Sequence, residues 1–249
     1  MIEVVIGDVH ARPEALRTLL RAVGAVDRDG RRNRECWVVQ IGDLLDRRAT
    51  LRANLATARL AASAVDVVLA GNHEAQMLSD PTGAGGAALA TLAARGWPHA
   101  AFACGAWLVT HAGVHPELAR DLPDVAPECA AEINDRWHRR GPGDHTDPLF
   151  DWRGPARGGA APCGGIFWMH PTEWDAARKA PWGQIIGHVP QPQPSLLSGR
   201  RWAIDLRARE GRLAALVRAA PQASWRAVVV QTQGQRGSVT GRARKRVAA

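Results

Sequence analysis

Three short apolar runs in the first third of the chain end in the same way. IGDVH (6–10), IGDLLDR (41–47) and AGNHE (70–74) each place a glycine after a strand-like stretch and an Asp or Asn directly after the glycine. Two later runs end in THAG (110–113) and IGHVP (186–190). The runs themselves, IEVVI (2–6), CWVVQI (36–41), VDVVLA (65–70) and AWLVT (106–110), are continuously apolar, which predicts strands covered on both faces. Between them, residues 12–25 read as a helix with Pro13 in its first turn and Leu16, Leu19, Leu20 and Val23 on one face. An Ala/Leu-rich helix is expected around 50–64. Alternating strands and helices imply an α/β fold in which the carboxyl ends of the strands share one edge. Asp8, His10, Asp43, Asn72, His111 and His188 are thereby expected to converge. The glycine ahead of each group is expected to let the backbone turn sharply.

Composition limits the alternatives. A chain of 249 residues suits one domain, or at most two small ones. The net charge of +8 invites a nucleic-acid reading, but Lys occurs only at 179 and 245, Tyr is absent, and the arginines are dispersed apart from GRARKRV (241–247). That dispersal argues against a dedicated nucleic-acid surface. Cys36, Cys104, Cys129 and Cys163 stand far apart with no CxxC pair, which argues against structural disulfides and a thiolate zinc site. No apolar run reaches about 18 residues, so no membrane span is expected. The start, MIEVVIGD, has no basic segment of a signal peptide, and the expected location is the cytoplasm.

The stretch from about 139 to 184 has no clear period but contains Trp152, Phe167, Trp168, Trp174 and Trp182, and is expected to be an ordered loop region. Strand character returns at 183–188, and 201–206, 212–218 and 225–230 read as a closing run of strands joined by turns. Residues 1–230 are expected to form the folded domain, and 231–249 a basic, disordered tail.

Carboxylate, imidazole and amide oxygen without thiolate suit borderline-to-hard divalent ions. Six such groups exceed the needs of one open catalytic ion and match two ions about 3.5 Å apart. GDVH, GDLLDR and GNHE in this order, with the later HAG and GH, resemble the phosphoprotein phosphatase branch of the calcineurin-like metallophosphoesterases, bacterial type. The resemblance covers about residues 1–230. It implies two packed mixed β-sheets flanked by helices, with a dimetal site at the strand ends. It implies Asp8 and His10 as ligands of a first ion, Asp43 as the bridging carboxylate, and Asn72, His111 and His188 as ligands of a second. Mn2+ is the expected metal, with Fe, Zn or Ni as alternatives. His73 matches the family's general acid, Asp46 the carboxylate that holds it, and Arg47 an arginine that grips the substrate phosphate. Arg153 and Arg157 are the candidates for a second such arginine, and His170 stands where some bacterial relatives carry one.

The implied reaction is hydrolysis of phosphomonoesters, with phosphoserine or phosphothreonine proteins among the substrates, by in-line attack of a hydroxide bridging the two ions. A bis(5'-nucleosyl)-tetraphosphatase is the alternative within enzymes, and a catalytically silent phosphate- or nucleic-acid-binding module the alternative outside them. The sequence departs from the family at Ala11 and Arg48, where glycine is frequent. HEAQM lacks the second His of a zincin helix. Glu74 is expected to stabilise the loop or helix start without chemistry, and His99, His115, His138 and His145 to be surface or loop residues. The partner is a phosphorylated substrate, and the oligomeric state is open.

Overall fold

A computed structural model describes residues 1–83, 85–140, 144–174, 180–197 and 200–232. The elements run β1 (Ile2–Ile6), α1 (Pro13–Ala22), β2 (Cys36–Gln40), α2 (Leu51–Ala64), β3 (Val67–Val68), α3 (Asn72–Ser79), α4 (Gly86–Ala93), β4 (Ala101–Cys104) and β5 (Trp107–Thr110). They continue with α5 (Pro116–Ala119), α6 (Ala126–Arg139), α7 (Pro148–Asp151), β6 (Gly183–Ile186), β7 (Ser195–Leu197), β8 (Arg201–Ala203), β9 (Arg212–Arg218) and β10 (Arg226–Gln231).

Two mixed five-stranded sheets result, in the orders β10-β9-β1-β2-β3 and β4-β5-β6-β8-β7. β1, β2 and β3 pair in parallel, as do β5, β6 and β8, while β9, β10, β4 and β7 close the sheets antiparallel. Successive strand residues explain the continuous apolar runs. Val4 and Ile6 pack under α1 and α2 with Leu16, Leu19 and Ala58, whereas Val5 faces the second sheet with Val39, Val109 and Ile185. On the other side Leu108 packs with Ile133 of α6. The layers are therefore helix, sheet, sheet, helix, and each fully buried Val, Leu or Ile contributes about 1.5–3 kcal/mol.

The helices begin where local chemistry allows. Pro13 occupies the first turn of α1, and Glu14 and Arg21 oppose its dipole at the two ends. Thr50 caps α2 by accepting from the Ala53 N–H at 3.3 Å.

Several expectations need correction. The third strand is Val67–Val68 rather than 65–70, because Val65 ends α2 and Asp66 turns its carboxylate to the Val38 N–H at 2.7 Å. The strand at 201–206 stops at Ala203 and belongs to the second sheet, so it is not part of one closing run with β9 and β10. β4, β7, α4 and α6 had no sequence signal strong enough to assign. The buried face of α6 is Ala126, Cys129, Ala130 and Ile133, of which only Ile133 is a large apolar residue, so the segment reads as mostly polar. β10 reaches Gln231, and Thr232 donates to the Gly211 carbonyl at 2.8 Å; the tail from 233 lies outside the described residues. Among the described residues no helix is long and apolar enough to cross a membrane.

Candidate metal centre

β1, β2 and β3 in one sheet, and β5 and β6 in the other, point their carboxyl ends at a common edge. The loops that leave them bring the six candidate ligands together. The tightest group comes from three loops: Asn72 Oδ1 lies 3.1 Å from His111 Nε2 and 3.0 Å from His188 Nδ1, and the two imidazole nitrogens are 3.2 Å apart. Asp43 Oδ1 stands 3.6 Å from His111 Nε2, and its Oδ2 is 3.9 Å from His10 Nε2. Asp8, His10 and Asp43 form a second group whose donor atoms lie within 4.8 Å of one another. Asp43 is thus common to both groups.

These side chains fit cations. Among the described residues, Asp8 Oδ1 is buried without a hydrogen-bond partner. Burial, and then the neighbouring carboxylates Asp205 and Asp43, push the Asp8 carboxyl well above its usual range. Burial does the same to Asp43, with Glu74 adding to it. His111 and His188 are held well below the usual imidazole pKa, by burial first, which leaves neutral nitrogens able to donate to a metal. Two carboxylates desolvated side by side next to neutral imidazoles are a costly arrangement unless positive charge is supplied.

The backbone explains why glycine precedes the candidate ligands. A Cβ on Gly71 would overlap the Asp43 carboxylate, and one on Gly187 would overlap Asp8 Oδ1. Both glycines serve close approach of a carboxylate from another loop. The expectation of a sharp turn at every glycine holds only for Gly42, at φ +107°; left-handed backbone falls instead on His10, Ala11, Asp43 and His188. Such non-glycine residues each store about 1–3 kcal/mol of strain, which the surrounding packing must over-determine.

Glu74 is the clamp that does so. Completely buried, it accepts from the backbone N–H groups of Asp43 (2.8 Å), Leu45 (2.7 Å) and Gly71 (2.9 Å), tying the β2 loop to the start of α3. Its expected part as a stabiliser of the helix start is what the contacts describe. Asp43 Oδ1 in turn accepts from the His73 N–H at 2.9 Å.

Beside this cage, His73 Nδ1 lies 3.4 Å from Asp46 Oδ1. Arg209, which sequence reasoning missed, donates from Nε to Asp46 Oδ2 at 2.7 Å and places Nη2 at 3.3 Å from His73 Nε2. Burial lowers the His73 pKa to about 4; Asp46 opposes this and Arg209 reinforces it.

Residues 4–219 match the sequence model of the calcineurin-like phosphoesterases. The chain belongs to that family. Solved structures similar to this calcineurin-like phosphoesterase include a point mutant of a cold-active protein tyrosine phosphatase (TM-score 0.62, 17% identity, covering 92% of this chain and 77% of that one). The cold-active protein-tyrosine phosphatase of a psychrophile, Shewanella sp., matches at TM-score 0.60 and 18% identity over the same shares. A "putative diadenosine tetraphosphatase" matches at TM-score 0.50 and 19% identity over 95% of each chain. At these identities the likeness is one of fold. No curated protein sequence matches the chain significantly.

In this phosphoesterase the arginines form a rim. Arg47 bonds to Gln76 and donates its N–H to His73 Nδ1 at 3.2 Å. Arg157 sits on a 3-10 turn (Pro155–Arg157), and its charge reaches Asp43, His111 and His188. Arg153 stacks on Trp168 at 4.0 Å, one ring away from His188. Arg47, Gln76, Arg153 and Trp168 line a cleft of about 590 Å3 beside the cage. Glu173 ties the arginine-bearing loop together by accepting from Ala156 and Gly164. His170 starts the turn at Pro171–Glu173 and accepts from the Thr172 N–H.

Two further residues had no local signal. Asp205 follows β8, is buried behind Asp8, and has its pKa raised to about 6 by burial. His115, expected as a surface or loop residue, lies in the loop ahead of α5 but is buried: Nδ1 caps α5 and Nε2 lies 2.8 Å from the Glu173 carbonyl. Its neighbours Pro116 and Glu117 give no hint that a loop from residue 173 closes over it.

Proposed function

We propose that the chain is a dimetal phosphohydrolase acting on phosphomonoesters, phosphoserine and phosphothreonine proteins included. The observation that carries the reading is the convergence of Asn72 Oδ1, His111 Nε2 and His188 Nδ1 within 3.0–3.2 Å of one another, with Asp43 reaching across to the Asp8 and His10 group. Asp8, His10 and Asp43 would hold one ion, and Asp43, Asn72, His111 and His188 the other. Two divalent ions, Mn2+ foremost, would activate water and offset the charge gathering on the phosphoryl oxygens.

The chain's own residues do the rest. Arg47 and Arg157 present guanidinium donors to the phosphate oxygens, where paired N–H groups match the geometry. His73 holds the proton for the leaving oxygen, with Asp46 orienting the ring. In the free protein His73 is crowded by burial and by Arg209, Arg47 and Arg48, and an incoming phosphate dianion offsets those guanidinium charges. The reading covers residues 1–230 as the catalytic domain and a cytoplasmic setting, in which the free thiols of Cys36, Cys104, Cys129 and Cys163 remain reduced.

A dinucleoside polyphosphatase is the second reading, favoured by Trp168 on the wall of the 590 Å3 cleft, where an aromatic ring could meet a base. Against it, the guanidinium of Arg153 already covers one face of that ring. A metal-supplemented screen with a phosphopeptide, diadenosine tetraphosphate and a cyclic nucleotide side by side separates these readings. Turnover of the phosphopeptide supports the first and preference for the dinucleotide the second. A chain that binds metal and hydrolyses none of them is the silent module.

A further inference from the structure

A second cleft, of about 650 Å3, shares no lining residue with the one beside Trp168. Its walls are the starts of α1 and α2 and the loop before β9, and its cationic residues are Arg12, Arg52 and Arg209. Arginine is abundant throughout this chain, so three of them signify little by number alone. What distinguishes them is Arg209, which lines this cleft and at the same time bonds to Asp46 and reaches His73. Arg12 is linked to it through a hydrogen bond from Nη2 to the Arg209 carbonyl at 3.1 Å. The charges of Arg209 and Arg12 are both felt at His10. Among the described lining residues the one acid, Glu14, is engaged by Arg17 at 2.7 Å. Ala11, Ala15, Ala53 and Ala56, with Thr50 and Thr232, make up much of the remaining surface, and among the described residues no aromatic ring lines it for a base to stack on.

We infer that this cleft is an anion subsite continuous with the metal centre, and that the substrate carries a second phosphoryl group beyond the one that is cleaved. The inference rests on the phosphohydrolase reading for its reaction, but not for its binding chemistry. Arg209 forms the wall shared by the two sites, and Arg12 and Arg52 hold the second group as charge-assisted donors. The second phosphoryl group has two chemical sources, a phosphoanhydride chain or a separate ester on the same molecule, and tripolyphosphate and fructose 1,6-bisphosphate represent them.

Arg52 is the residue to change, because it is exposed and lies outside the catalytic machinery. With Arg52→Glu, kcat/KM for tripolyphosphate or for fructose 1,6-bisphosphate is expected to fall about tenfold or more, through KM, as one charge-assisted contact is lost. Hydrolysis of p-nitrophenyl phosphate, which has no second anion, should stay within about twofold, since a lost uniform-binding contact alters only substrates that make it. Arg52→Lys should restore most of the loss, and whichever doubly phosphorylated probe responds identifies the source. Equal effects on all three substrates, or none on either doubly phosphorylated probe, overturn the subsite.

If the wild type hydrolyses none of them, the phosphohydrolase reading fails, and calorimetry of tripolyphosphate binding to the metal-free full chain decides the cleft on its own. Binding that Arg52→Glu weakens about tenfold supports it; binding unchanged by the substitution, or no binding to the wild type, overturns it.

Discussion

The cage and the arginine rim meet at His73 but are held in different ways. In the cage, Asp8, Asp43 and His111 are buried, and each of the six candidate ligands stands at most four residues beyond the end of a strand. Their positions are fixed by main-chain geometry: left-handed backbone at His10, Asp43 and His188, and glycines where a carboxylate must press against another loop. In the rim, Arg47, Arg153, Arg157 and Arg209 are exposed and arrive at the ends of long side chains, from a 3-10 turn, loops and stacked rings. A cage built on backbone tolerates almost no change of shape. A rim built on side-chain reach can be re-aimed by altering a loop, which is where specificity can change while the chemistry is kept.

The contrast is broken most severely at the glycines. Gly187→Ala puts a methyl group onto Asp8 Oδ1, and activity should fall about a thousandfold or more, since a misplacement of about 1 Å alone costs about a hundredfold. Hydrolysis of p-nitrophenyl phosphate beside a melting curve separates that loss from unfolding. His73→Asn, on the border between cage and rim, should keep the metals and slow turnover by about a hundredfold. Metal content measured with kcat tests this, and loss of an ion would make His73 a ligand.

Smaller effects probe the burial of charge behind the cage. Asp205 titrates at about 6 in the folded protein against a reference value of 3.8, so the folded state is penalised above pH 6 and relieved as pH falls towards 4. Asp205→Asn should therefore stabilise the metal-free protein by about 2 kcal/mol at pH 8, with the gain vanishing near pH 4. Melting curves across that range test this, and a difference between variant and wild type that does not change with pH would show that Asp205 ionises freely. Smallest of all, Ala11→Gly should add about 0.5 kcal/mol, the relief of left-handed strain at φ +54° less the entropy of a glycine. A denaturant midpoint that falls would show that the buried methyl group matters more than the strain.

The same contrast decides what could be read from the sequence. The clustering of the candidate ligands was legible because strand, glycine and candidate ligand follow one another within a few residues, as in IGDVH and AGNHE, so the pattern is local. The covered sheets were legible from continuous runs such as Val4, Val5 and Ile6, which feed two cores at once. Arg209 and Asp205 were not, because their partners Asp46 and Asp8 lie more than 160 residues away in sequence and nothing beside them marks the contact. The role of the glycines was read as turning where Gly71 and Gly187 serve close approach, a distinction that only the neighbouring loops can reveal. α6 stayed hidden because its buried face is largely alanine and cysteine.

The central claim is that Asp43 joins two ion sites. The most direct test is the metal content of wild type and Asp43→Asn after equilibration with Mn2+, read together with p-nitrophenyl phosphate hydrolysis. The account predicts two ions per wild-type chain, and loss of bound metal and activity together in the variant. A variant that keeps two ions and hydrolyses at the normal rate would contradict it.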